Sequence, residues 1–229
     1  MRIFSCRIQD SIMSGHQNIH KTYLFIDESG DPSFYASGNR SIVGTEGFKP
    51  ILLIGIVKLE DKKAIRNAIL QFMNDLRNDP LYNSLPCISD PKGWYLHASF
   101  DNLEVRVKFA EFLRKLEGFE FYCVIGRKRL DIFALRSDNA KRDSPLKIKY
   151  NCEIVLSRET PELSIVDYLL WAIQRYLLQG DKRFYNALEA KYNLIIDLYD
   201  ADGNQSKYYD SNNRLEIEKT GEFRLDGYV

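Results

Sequence analysis

Thr22-Tyr-Leu-Phe-Ile-Asp-Glu-Ser-Gly-Asp-Pro32 is the stretch on which the reading of the chain turns. Six residues rich in β-formers, Thr22 to Asp27, run into a turn cluster of Ser29, Gly30, Asp31 and Pro32. That pattern spells a strand with an abrupt end. Strand alternation puts Tyr23, Phe25 and Asp27 on one face and sends Glu28 to the other. An acid sharing a face with two aromatic rings is out of place, because an ionised carboxylate in apolar surroundings needs a cation or several donors beside it.

Outward from this strand, strand and helix patterns mix. Ile51 to Leu59 reads as a buried strand, and Asp61 to Asn78 as a helix with Ile65, Ala68, Ile69, Phe72 and Leu76 at helical spacing. Pro80 to Pro91 reads as a loop and Trp94 to Ala98 as a short strand. Asn102 to Glu117 is a second helix, with Val105, Phe109, Phe112, Leu113 and Leu116 on one face and Gly118 as its stop. Strands are expected over Phe119 to Gly126 and Lys147 to Leu156. A further helix follows, with Thr160 as N-cap, Pro161 at its first position and Gly180 at its end. A short helix near Lys182 to Ala190, a strand from Asn193 to Tyr199 and a hairpin turn at Ala201 to Asn204 complete the pattern. The order implies an α/β domain with a mixed sheet flanked by helices over residues 22–180. Residues 181–229 read as a C-terminal helix and hairpin extension of it, and residues 1–21 as a flexible N-terminal extension.

Composition narrows the class. At 229 residues, 45% hydrophobic and 28% charged, the chain has ordinary globular usage, which excludes disorder, collagen and coiled coil as descriptions of the whole. The longest apolar runs fall far short of the about 20 residues a membrane span needs, so the expectation is a soluble, cytoplasmic protein without membrane contact. Lys and Arg total 32 against 32 for Asp and Glu, so any contact with nucleic acid must be local. Cys6, Cys87, Cys123 and Cys152 form no C-x-x-C pair and read as reduced, core-packing thiols.

Asp167 is the second acid in an apolar setting. Its helical neighbours at minus four, plus three and plus four are Leu163, Leu170 and Trp171. One shared metal ion would explain both Asp27 and Asp167. Simpler accounts stand beside it: a salt bridge from Asp167 to Arg158 or Arg175, and a strand-end carboxylate at Asp27 capping the Ser29-Gly30 turn. Asp101-Asn-Leu-Glu104 is a capping-box arrangement, so Asp101 can serve as a helix cap instead of in catalysis. His97, at a strand end, suits a structural histidine as well as a ligand. From Arg127 to Lys149 the chain carries eight basic residues against three acidic, with Arg127, Lys128 and Arg129 at its start; this is either a phosphate-binding edge or a solvated charged edge. Asp197, Asp200 and Asp202 before Gly203 do not fit the register of a calcium loop. The chain lacks P-loop, dinucleotide-binding, His-Glu-x-x-His and Gly-x-Ser-x-Gly motifs.

Tyr23 to Asp31, the His97-Ala98 pair with Asp101 and Arg106, Lys128 after a strand, and Leu163-Ser-Ile-Val-Asp-Tyr-Leu-Leu-Trp-Ala-Ile-Gln-Arg175 together resemble the family catalogued as domain of unknown function 3800. The tract from Gly180 to Tyr209 is similar to one branch of it, and the resemblance spans about Tyr23 to Asn213. It implies a ribonuclease H-like mixed sheet with an acidic metal site, in a phage-defence or mobile-element setting. By that likeness Asp27 and Asp167 are ligands, with Glu28 and Asp101 completing the cluster. The implied chemistry is phosphodiester hydrolysis with two Mg²⁺ or Mn²⁺ ions, on DNA or RNA held by Arg127, Lys128, Arg129 and His97. The stretch from Arg136 to Lys147 is shorter than in longer relatives. That departure keeps open a second expectation, a catalytically idle ribonuclease H-like module that binds nucleic acid or a protein partner.

Overall fold

A single mixed sheet organises the chain in a computed structural model that describes residues 3–8, 22–31, 33, 35–38, 40–43, 45–46, 48–128, 151–198 and 207–220. Its strands are β1 (Ile3–Ile8), β2 (Thr22–Ser29), β5 (Ile51–Leu59), β6 (Phe119–Arg127), β7 (Asn151–Val155), β8 (Leu194–Leu198) and β9 (Lys207–Tyr209). They lie in the order β7-β1-β2-β5-β6-β8-β9. Every neighbouring pair is antiparallel except β6 and β8, which run parallel. Two short strands, β3 (Tyr35–Ala36) and β4 (Arg40–Ser41), form a separate ribbon. The helices are α1 (Lys62–Asn78), α2 (Leu103–Lys115), α3 (Leu163–Gln179), α4 (Arg183–Ala187) and α5 (Ile217–Thr220).

The period of two in the strands decides which face the helices cover. Phe25, Leu53, Val57, Phe121, Cys123, Ile125 and Ile195 alternate inward and join Ile65 and Ile69 of α1, Val105 and Phe109 of α2, and Val166 and Leu170 of α3 in one buried cluster. Asp61 caps α1 by accepting the Ala64 N–H at 2.9 Å. Gly180 ends α3 in the left-handed conformation, φ +69°, with its N–H on the Tyr176 carbonyl.

The contact between α3 and the sheet positions the site. Gly55 stands directly opposite Asp27 in the β2–β5 ladder. A Cβ at Gly55 would lie 2.7 Å from Val166 Cγ2 and 2.9 Å from Leu170 Cδ2, closer than real contacts allow. Glycine at this one place lets the helix settle on the strands.

Four expectations need correction or limits. Ile3–Ile8, read as part of a loose extension, has a strand backbone inserted between β2 and β7. Phe4, Cys6 and Ile8 alternate with Ser5, Arg7 and Gln9, a short strand signal that the reading of residues 1–21 as an extension passes over. Trp94 to Ala98 forms no strand; its backbone is held by side chains, as described below. α3 starts at Leu163, not at Pro161 after a Thr160 cap. The Glu162 carboxylate is fully buried against the Arg66 guanidinium at 2.9 Å, and Thr160 to Glu162 form a tight turn in which Leu163 N–H donates to the Thr160 carbonyl at 3.0 Å. The Lys147 to Leu156 strand is seen as β7; residues 147–150 lie outside the described residues, as do the Arg136 to Lys147 stretch and the turn at 201–204. Among the described residues Cys87 and Cys123 are free thiols, and no helix is long and apolar enough to cross a membrane.

Candidate active site

Asp27 ends the inward face of β2, where Tyr23 and Phe25 precede it, and is 1% exposed. Its Oδ1 accepts the N–H of Glu28 at 2.8 Å. Its Oδ2 is buried and accepts no hydrogen bond. Burial first, and the negative charge of Asp167 second, push the Asp27 carboxyl up from 3.8 to about 8.

Asp167 reaches the same place from α3. Its Oδ2 accepts the Ala98 N–H at 2.7 Å, and His97 Nδ1 lies 3.9 Å away. Burial raises its pKa also, opposed by His97 and by the Ala98 hydrogen bond. Neither arginine suggested as a partner for Asp167 serves it: Arg175 pairs with Asp181 at 2.8 Å, and Arg158 lies over the Tyr95 ring. Two desolvated acids close enough for one charge to raise the other cannot both ionise cheaply, so near neutral pH the pair retains a proton.

The segment that carries the Ala98 N–H is itself pinned. Asp101, 2% exposed, accepts from Trp94 Nε1 at 2.7 Å, from the His97 N–H at 2.8 Å and from the Tyr168 hydroxyl at 2.5 Å. Asp101 therefore does not cap α2, whose N-cap is Asn102. It ties the loop before α2 to α3 at the residue next to Asp167. The capping reading of Asp101 gives way to this one, and neither sequence reading foresees Trp94 and Tyr168. Tyr168 follows Asp167 in the chain, but nothing in that adjacency announces that its hydroxyl turns to a residue 67 positions away. Asp101→Asn replaces one acceptor oxygen with a donor that must face a donor. We expect it to cost about 2 kcal/mol in urea unfolding and to speed hydrogen exchange at the Ala98 amide.

The other expected residues fall elsewhere. Glu28 leaves β2 on the face opposite Asp27, in register with Ile54, which is exposed. Arg127, expected to meet phosphate, is buried in a two-pronged pair with Asp197 at 3.2 and 2.6 Å. Lys128 is also buried; its Nζ lies 4.3 Å from the centre of the Phe48 ring, and burial pulls its pKa down against the charge of Asp31. Arg129 lies outside the described residues. His97 is brought to Asp167 but makes ring contacts with Phe100 at 4.5 Å and Tyr95 at 6.1 Å.

Fold and site together define a mixed α/β domain with a carboxylate pair between a sheet strand and a helix, Asp27 buried and Asp167 partly so. No protein-family model, curated protein or solved structure matches the chain. Among the described residues, no group of three or more His, Cys, Asp and Glu side chains converges as a ready-made metal centre. The donors that do converge are hard carboxylate oxygens, the type that suits Mg²⁺ or Mn²⁺.

Proposed function

We propose that the chain is a Mg²⁺- or Mn²⁺-dependent nuclease of ribonuclease H-like type, in the family of domain of unknown function 3800, acting at Asp27 and Asp167. The observation that carries the reading is the Asp27 carboxylate, which is buried beside a second acid and has one oxygen without a partner. An unpaired, desolvated acid facing another acid weakens the fold, and a divalent cation removes that cost.

Asp27 and Asp167 would hold the ion. When bound, it supplies Lewis-acid activation at the phosphodiester. The chain's own residues set the stage for this. Gly55 fixes how near α3 stands to β2, the Ala98 N–H orients Asp167 through Oδ2, and Asp101 keeps Ala98 in place. Glu28 and Asp101 are not part of this ligand set, for the reasons of geometry above. The two-ion version of the chemistry would need its remaining ligands from substrate phosphate and water.

The second reading, an idle module that binds nucleic acid or a protein, draws on the small ligand set, two acids where a preformed centre would gather more. Calorimetric titration with Mn²⁺ and thermal melts with and without it separate the two. In the nuclease reading wild type binds Mn²⁺ and melts several degrees higher with it, and Asp167→Asn loses both responses while its metal-free melt is unchanged or raised. A wild type indifferent to Mn²⁺ and Mg²⁺ leaves the idle module.

A further inference from the structure

A cleft of about 550 Å³ opens at the loop before α2, lined by Trp94, Tyr95, Phe100, Asp101, Asn102 and Arg158 among others. Three features make it more than a gap between loops. Its aromatic floor is locked: Trp94 donates Nε1 to Asp101, and the Arg77 guanidinium lies 5.3 Å from the Trp94 ring while donating to the Trp94 carbonyl at 3.1 Å. At its edge Phe100 is 71% exposed, although it belongs to a ring cluster with His97. A large flat apolar face held open by packing behind it is unusual for a side chain that could have folded inward. Third, Arg158 lies over the Tyr95 ring at 5.6 Å, which puts a cation on the aromatic wall.

We propose that this cleft is a stacking subsite for an unpaired base of single-stranded nucleic acid, with Phe100 as its platform. The inference rests on the nuclease reading and names the substrate class of that site. The same loop presents Phe100 to the cleft and, two residues earlier, the Ala98 N–H to Asp167, which links the subsite to the acid pair through one short segment. Charge favours this occupant. The chain carries 32 basic and 32 acidic residues, and among the described residues Arg127 and Lys128 are buried and offer no grip on a duplex. Stacking gives affinity that needs few phosphate contacts, and every base offers a π-face. Asp90 and Asp101 also line the cleft and repel phosphate, so within the lining the strand's backbone is met by Arg158. A duplex hides its bases in the stack and cannot use Phe100 without flipping one out.

The test uses the full chain in EDTA, so that no cleavage confuses binding. Fluorescence anisotropy is read with short labelled oligothymidine, oligouridine and a mixed-sequence duplex. We expect saturable binding of at least one single strand in preference to duplex, and whichever of oligothymidine and oligouridine binds tighter identifies the strand as DNA or RNA. Phe100→Ala should weaken it roughly ten- to a hundredfold, the effect of losing one stacked base, with an unchanged melting temperature because the ring is exposed. Phe100→Trp should restore the affinity. Arg158→Ala should weaken binding less and flatten its salt dependence by about one contact. Equal affinity of Phe100→Ala and wild type, or a preference for duplex, overturns the proposal. So does absence of binding by wild type, which would give the cleft to a protein ligand. The two readings stay distinguishable because strand binding is read in EDTA and the Mn²⁺ response is read separately, by thermal melts. Stacking with no Mn²⁺ response in wild type would sink the nuclease reading alone.

Discussion

Asp27→Asn should make the metal-free protein more stable at pH 8, by roughly 3–5 kcal/mol, and leave it unchanged near pH 4. The sign follows from where the proton resides. Unfolded, the carboxyl titrates near 3.8; folded, burial and Asp167 hold it protonated up to about 8. Between those values the folded state keeps a proton that the unfolded state has released. Stability from this group is therefore full below 3.8, falls as pH rises, and levels off above about 8. Asparagine is uncharged throughout and fills the same shape, so the variant escapes that decline. Water drawn to a lone buried carboxylate keeps the gain below the full value of the shift. Urea unfolding of both proteins across pH 4–9 in EDTA checks it. A difference that does not grow with pH would show that Asp27 is already neutralised without metal. That result would remove the main support for a cation site.

Arg127→Met should cost about 3–5 kcal/mol and Arg127→Met with Asp197→Leu much less. Asp197 is fully buried on β8, and Arg127 at the end of β6 meets it with two nitrogens across the one parallel pair in the sheet. Losing the cation leaves a carboxylate with no exit to water, whereas losing both charges leaves a packable apolar gap. The contrast separates a structural arginine from a phosphate-binding one. In the latter case the single variant would fold as wild type and lose affinity for nucleic acid. Denaturant melts of the single and double variants, set beside strand binding, decide it.

How far the sequence carries the reader depends on how local each signal is. The strand Ile51 to Leu59 and the bodies of α1, α2 and β6 are legible because their period lies within the element and their end signals, Asp61 before α1 and Gly118 after α2 among them, lie right beside it. Asp27 and Asp167 stand out because each breaks an apolar pattern, a property visible from a few neighbours on either side. Asp101 and Arg127 are misread for the opposite reason. A capping-box spacing and a basic cluster are local patterns, but their true partners, Tyr168 and Asp197, are 67 and 70 residues away. Ile3–Ile8 shows the same limit for backbone: whether six residues become a strand depended on the free edges of β2 and β7, which the segment does not encode. The proposed ribonuclease H-like assignment and the proposed nuclease activity rest on residues whose joint geometry no sequence period specifies.

Gly55 carries no chemistry, yet it exposes the acid pair to loss at a distance. A single methyl there would sit 2.7 Å from Val166, so Val166 and Leu170 or the helix that carries them must shift, and any shift of α3 moves Asp167 while Asp27 stays on its strand. A lineage that takes this step separates the proposed catalytic pair and retains every acid. Inspecting a relative for its aspartates would then overstate its competence. The residue opposite Asp27 is the better witness to whether both acids still face a common ion.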